Sequence, residues 1–157
     1  MKEQILNNLN QSGICVIEDY FSNDFCDQAV KDMEDGLIQF KDKVQSESKE
    51  DTSGDFRLFK MENHYNTAKE FANDPLLLEV GSEYFGYPLV SHFVLGGKVK
   101  YNPNKSTNSG GGWHRDNRMK QIKTLVYLSD VTEENGPYLF LPASNQYDLP
   151  TRDGVGK

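Results

Sequence analysis

The feature that most constrains the fold is residues 121–130, "QIKTLVYLSD", where the side chains alternate between two faces. One face carries Ile122, Thr124, Val126 and Leu128, and the other carries Lys123, Leu125 and Tyr127. Alternation with a period of two residues is typical of a β-strand that is buried on one side. A turn sequence, Asn135-Gly136-Pro137, and a second apolar run follow. This order predicts two strands joined by a turn.

The first half of the chain has a helical pattern instead. Apolar residues recur every three or four positions within residues 22–44, namely at Cys26, Val30, Met33, Leu37, Phe40 and Val44. This spacing predicts a helix that packs one face against the core. Further helices are predicted to end at Gly13 and to run from Asp74-Pro75 to Gly86. Shorter strands are predicted at 14–21, 56–61 and 91–103, the last interrupted by two glycines. Helices first and strands later indicate an α+β fold with a β core.

Composition excludes several classes of partner. The net charge is −7 and the basic residues are scattered, so we expect no binding to nucleic acid or to anionic membrane. No apolar run is long enough to cross a bilayer, and a soluble cytoplasmic protein is expected. Cys15 and Cys26 are predicted to be free thiols. The length fits one domain over residues 1–157, with flexible loops at 45–55 and 104–112.

His114 and Asp116 precede the predicted strand and are the strongest candidates for a functional site. In an extended chain, residues i and i+2 share a face, so the imidazole and the carboxylate can point to one place. Both groups bind divalent first-row metals, and one further histidine would complete the facial triad of non-haem Fe(II) oxygenases. The spacing alone also fits a surface ion pair, and that alternative stays open.

Three motifs around this pair resemble the phytanoyl-CoA dioxygenase family of Fe(II)- and 2-oxoglutarate-dependent oxygenases. They are the "WHRD" of residues 113–116, the "LSDVTEENGP" of residues 128–137 and the "PASN" of residues 142–145. The resemblance implies a double-stranded β-helix, a cupin-like jelly roll, with the N-terminal helices packed outside. It also implies Fe(II) as cofactor, 2-oxoglutarate and O2 as cosubstrates, and hydroxylation of a small organic substrate. On this basis His114 and Asp116 are the expected metal ligands.

The resemblance further implies which side chains face the cosubstrate. Lys98 and Lys100 share a face of the strand before the loop at 104–112, and an ammonium there would meet a carboxylate of 2-oxoglutarate. Leu125 and Tyr127 lie on the inward face in the family register. The alternatives left open are two solvent-exposed lysines and a tyrosine that belongs to the core.

The chain departs from the family pattern after residue 145. The family has a second histidine and then an arginine there, whereas this chain has no histidine after His114, and Arg152 lies too early to match. We therefore expect an oxygenase domain that is incomplete at its C-terminus and binds Fe(II) weakly. His64 and His92 precede the motif and are not expected to be ligands. His64 is expected to be a loop or surface histidine, and His92 a hydrogen-bonded core or pocket histidine. The competing hypotheses are a non-catalytic jelly-roll binding module and a fragment that self-associates through open strand edges. The substrate and the oligomeric state are not predicted.

Overall fold

The computed structural model describes residues 1–46, 55–100, 113–114, 116 and 120–146. Four helices lie in the described residues: α1 (Lys2–Ser12), α2 (Asn23–Gln39), α3 (Asn66–Ala72) and α4 (Pro75–Phe85). Three strands accompany them: β1 (Gln45–Ser46), β2 (Asp55–Phe59) and β3 (Leu95–Val99). Short 3₁₀ helices occupy Lys41–Lys43, Met61–Asn63, Glu133–Asn135 and Ser144–Gln146.

The helix ends follow the local chemistry that the sequence indicates. Ser22 accepts a hydrogen bond from the backbone N–H of Phe25 and begins α2, and Asp74 caps α4 directly before its first proline. Gly13 ends α1 and Gly86 ends α4, with φ of 77° and 78°. These left-handed values favour glycine, so the predicted ends of both helices are confirmed.

The three strands form one antiparallel sheet in the order β1-β2-β3. One face of this sheet packs against α2. Leu58 of β2 is only 2% exposed and joins Met33 of α2, Met61 and Ala68 in a buried cluster. Leu37, Phe40 and Val44 border that cluster. The predicted apolar stripe of the second helix is thus a core-packing face, as expected.

A second cluster lies between α1 and α4. Ile5, Leu6 and Val80 are buried there, and Cys15 and Ile17 pack against them. The strand predicted at 14–21 is wrong, since these residues form no strand and turn at Asp19, where φ is 52°. The reason is that Cys15 and Ile17 bury their side chains against the helices without pairing to a strand. Both cysteines are free thiols.

Residues 120–146 also differ from prediction, because the structure assigns no strand within them. The predicted alternation nevertheless persists in part. Ile122, Val126 and Leu128 are half-buried, whereas Leu125 and Tyr127 are 62% and 48% exposed. A strand requires a hydrogen-bonded neighbour as well as alternating side chains, and this segment has no ladder partner among the described residues. The predicted turn is confirmed, with Thr132 and Asn135 forming a capping box.

The observed fold is therefore a mixed helix and strand arrangement with one small sheet in the described part of the chain. The jelly roll that the resemblance implies is not established by three strands. The loop predicted at 45–55 is shorter than expected, since its ends lie in β1 and β2. Its middle, residues 47–54, and the loop predicted at 104–112 lie outside the described residues. The strand predicted at 91–103 is seen as β3, which runs through Gly96 and Gly97 without interruption.

Candidate metal centre

His114 and Asp116 come together as the spacing predicts. The Nε2 atom of His114 lies 3.1 Å from the Oδ1 atom of Asp116. The imidazole is the more enclosed of the two, with 26% of its side chain exposed, against 52% for the carboxylate. The alternation argument therefore places both groups on one side of the chain, where they converge.

The separation of these two atoms suits a shared metal ion. Nitrogen and oxygen ligands lie about 2.1 Å from a divalent first-row metal, and neighbouring octahedral ligands meet at right angles, which puts the two ligand atoms roughly 3 Å apart. The 3.1 Å between Nε2 of His114 and Oδ1 of Asp116 matches that spacing. The pair can therefore act as two adjacent ligands, and the same distance serves a hydrogen bond when a proton lies between them.

A third side chain, the positively charged Lys123, contacts this pair. Its ammonium donates to the second carboxylate oxygen of Asp116, Oδ2. That hydrogen bond lowers the pKa of Asp116 below its ordinary value, and the charge of Lys123 and the interaction with His114 add to the effect while partial burial opposes it. Asp116 is therefore a carboxylate at neutral pH, which is the form that binds a cation.

No third ligand stands beside this pair in the part of the chain that the structure describes. All three histidines of the sequence lie there, and no group of three histidine, cysteine or acidic side chains within it could hold a metal ion. His64 is exposed and packs its ring against Phe40, with 4.3 Å between the ring centres. His92 packs edge-on against Phe93 and is exposed, so it is not a core histidine, and its alternative role as a pocket histidine stays a prediction.

Lys98 and Lys100 have partners on the helix side of the sheet. Met33 and Met61 of the buried cluster lie against Gly96. Lys98 lies two residues after Gly96 in β3 and therefore on the same face of the sheet. The Lys98 Nζ atom donates to the Oε1 atom of Glu34 on α2 at 2.7 Å, and this bond lowers the pKa of Glu34. The Lys100 ammonium lies 5.2 Å from the centre of the Phe56 ring. The predicted role of both lysines toward 2-oxoglutarate stays a prediction.

Tyr127 and Leu125 lie on the exposed side of residues 120–130. The hydroxyl of Tyr127 accepts a hydrogen bond from the backbone N–H of Tyr138 at 2.7 Å. This bond holds together the two segments on either side of the Asn135-Gly136 turn. Leu125 is 62% exposed. A cosubstrate role for these two residues also stays a prediction.

Comparison with protein families identifies the family of the chain, which the positions of His114 and Asp116 alone do not. The model of the phytanoyl-CoA dioxygenase family matches residues 9–155 of the 157-residue chain. The chain belongs to the phytanoyl-CoA dioxygenase family. Comparison with curated proteins and comparison with solved structures each gave no match.

Membership of this dioxygenase family indicates an oxygenase, and hence an oxidoreductase that acts on a small molecule with O2. Fe(II) and 2-oxoglutarate are expectations at the level of the family. Within the described residues, no helix has the length and apolar character that a transmembrane span requires. The predicted cytoplasmic location stays a prediction.

Two functional contacts were missed by the sequence reasoning. Lys123 was assigned only to the face of the predicted strand that carries Leu125 and Tyr127, and nothing in its spacing from Asp116 signals an ion pair. Glu34 was one of many exposed acids on α2, and its partner Lys98 lies 64 residues later. Contacts between distant segments depend on how those segments pack, so a local pattern does not reveal them.

Proposed function

We propose that this protein is an Fe(II)- and 2-oxoglutarate-dependent dioxygenase that hydroxylates a small organic substrate. One observation carries the proposal: Nε2 of His114 and Oδ1 of Asp116 are spaced as adjacent ligands of one metal ion, inside a chain of the phytanoyl-CoA dioxygenase family. The family match supports the reaction type, and the separation of the two atoms supports the metal site.

The residues present fit two of the three protein ligands of such a site. His114 and Asp116 would hold the iron, which when bound supplies the oxygen chemistry that a side chain lacks. The carboxylate is kept ionised by Lys123, and the half-enclosed imidazole is held at the distance that a second ligand needs. The family's later histidine and arginine have no counterpart after His114 in this sequence. We therefore expect residues 1–157 to bind the metal weakly.

The proposal extends to the architecture around the site. The face of the β1-β2-β3 sheet turned away from α2 carries Phe59, Leu95 and Val99, which are 36%, 42% and 54% exposed. In a jelly roll with helices outside, this face would be the interior wall. Three partly exposed apolar side chains on that face support a single domain in which further strands cover them.

The cosubstrate residues form the second part of the proposal. Lys98 is the candidate for a carboxylate of 2-oxoglutarate, and it would first have to release Glu34. Lys100 is the other candidate, and its ammonium would have to leave the face of the Phe56 ring. Leu125 and Tyr127 would then line the same pocket from the segment that follows Asp116.

The test is formation of succinate from 2-oxoglutarate by the full-length gene product with Fe(II). We expect His114→Ala and Asp116→Ala each to abolish it. The matched controls are His92→Ala and Asp130→Ala, which remove an exposed side chain of the same type elsewhere. Succinate formation that survives loss of Asp116 would contradict the proposal, as would equal losses in the controls.

A second function is favoured by a specific observation, namely that no third ligand joins His114 and Asp116 in the described part of the chain. A binding module that keeps the fold without turnover would satisfy this observation. The two functions separate in one experiment, because a binding module would take up 2-oxoglutarate or another small ligand and form no succinate. The dioxygenase would form succinate in an Fe(II)-dependent manner.

A further inference from the structure

We propose that Lys123 is a positioning residue that selects which oxygen of Asp116 is offered to the metal. The inference rests on the proposed function, because it concerns a ligand of the proposed iron site. Its basis is the different partner of each carboxylate oxygen, Oδ1 facing Nε2 of His114 and Oδ2 bound by the ammonium of Lys123.

The consequence for metal binding follows from this division. An ammonium on Oδ2 disfavours a cation at that oxygen, so Asp116 is expected to contribute Oδ1 as one ligand atom instead of two. A facial triad leaves the remaining coordination positions open for cosubstrate and oxygen, and a second oxygen from Asp116 would occupy one of them. Hydrogen bonds to ligand side chains orient them in this way in many metal sites. Lys123 would therefore keep a coordination position of the metal open, because it holds Oδ2 of Asp116 away from the metal.

The surroundings of Lys123 argue against a role in packing. Its side chain is 66% exposed, whereas Ile122 and Val126 on the opposite face are half-buried. Ile122 lies over the buried Gly81 of α4, so the opposite face anchors this segment. Removing the lysine should therefore leave the fold intact, and a change at the metal site can be assigned to the lost ammonium.

The experiment compares Lys123→Met, Lys123→Arg and the control Lys120→Met, which removes an exposed positive charge from the same segment. Mn(II) alone is the probe, titrated at high salt so that distant charges are screened. Affinity is measured by electron paramagnetic resonance, and carboxylate binding by the infrared difference between loaded and metal-free protein. An Asp116→Asn sample identifies the bands of Asp116.

We expect Lys123→Met to gain about tenfold in Mn(II) affinity, because Asp116 then offers a second ligand atom and a positive charge beside the cation is lost. The infrared bands of Asp116 should shift from one-oxygen to two-oxygen binding, and Lys123→Arg should restore both readouts. Lys120→Met should match the wild type. Unchanged or weaker binding in Lys123→Met, unshifted infrared bands of Asp116, or an equal gain in Lys120→Met would overturn the inference while leaving the proposed function intact. Wild-type binding that is indifferent to His114→Ala would refute the proposed function itself, and the inference with it.

Discussion

Replacing Gly13 by alanine should cost more stability than replacing Gly86, although the two positions have the same backbone conformation. Both glycines end a helix, with φ of 77° and 78°. They differ in what an added methyl group would meet. At Gly86 nothing lies within 4 Å, whereas at Gly13 the Oδ1 and Cγ atoms of Asn145 would be 2.6 and 2.7 Å away. The comparison therefore isolates the docking of the 144–146 turn on α1.

The magnitudes follow from these two environments. An alanine forced into the left-handed region costs about 1 kcal/mol once its smaller unfolded-state entropy is counted. This should be the whole effect at Gly86. At Gly13 the methyl group also displaces Asn145, whose side chain donates to the hydroxyl of Tyr84 at 3.3 Å. Losing that bond adds about 1 kcal/mol. In a chain of this size, each kcal/mol lowers the melting temperature by about 2–4 °C.

The assay is thermal and urea unfolding of Gly13→Ala, Gly86→Ala, Asn145→Ala and the double variant Gly13→Ala/Asn145→Ala. We expect melting temperatures about 4–8 °C below the wild type for Gly13→Ala and about 2–4 °C below it for Gly86→Ala. In the double variant, the added methyl group no longer meets Asn145, so the two substitutions should be less than additive. Equal destabilisation of Gly13→Ala and Gly86→Ala, or strict additivity with Asn145→Ala, would show that the turn does not dock on α1 as described.

Three further predictions concern the helical half of the protein. Met33→Ala should destabilise by about 2–5 kcal/mol, whereas Ile38→Ala on the same helix should change little, because these side chains are 5% and 76% exposed; urea unfolding checks this, and equal effects would contradict the burial. Asp74→Ala should cost about 1 kcal/mol by removing the cap of α4, measured by the same unfolding and refuted by an unchanged midpoint. Burial, aided by a hydrogen bond to Asp35, raises the pKa of Tyr65 from its ordinary value of 10.0 to about 12. The contribution of the neutral Tyr65 side chain to stability is therefore complete below pH 10 and is lost as the pH rises toward 12. Tyr65→Phe should therefore be less stable than the wild type at pH 7 and approach it above pH 10, and a gap that stays constant with pH would count against this assignment.

The features predicted correctly from sequence are those that depend on a few neighbouring residues. Ser22 caps α2 through its own side chain, and the Asp74-Pro75 pair starts α4. Gly13 and Gly86 end their helices because glycine tolerates positive φ. The approach of the His114 imidazole to the Asp116 carboxylate likewise involves residues only two positions apart.

The features that were wrong or missed depend on distant residues. Residues 121–130 alternate as a strand does, yet they form no ladder in the described part of the chain, because pairing requires a second segment in register. Cys15 and Ile17 alternate in the same way, but their side chains pack against the buried cluster between α1 and α4. The ion pair of Lys98 with Glu34, 64 residues apart in the chain, arises only when separate segments meet. Short-range patterns contain no information about these encounters.

The central claim is that His114 and Asp116 share one metal ion, and the most direct measurement is anomalous X-ray diffraction from crystals grown with Mn(II) and 2-oxoglutarate. We predict an anomalous peak about 2.1 Å from both Nε2 of His114 and Oδ1 of Asp116, with Lys123 still bound to Oδ2. A peak at other residues, with the imidazole and the carboxylate hydrogen-bonded to each other at 3.1 Å, would contradict the account.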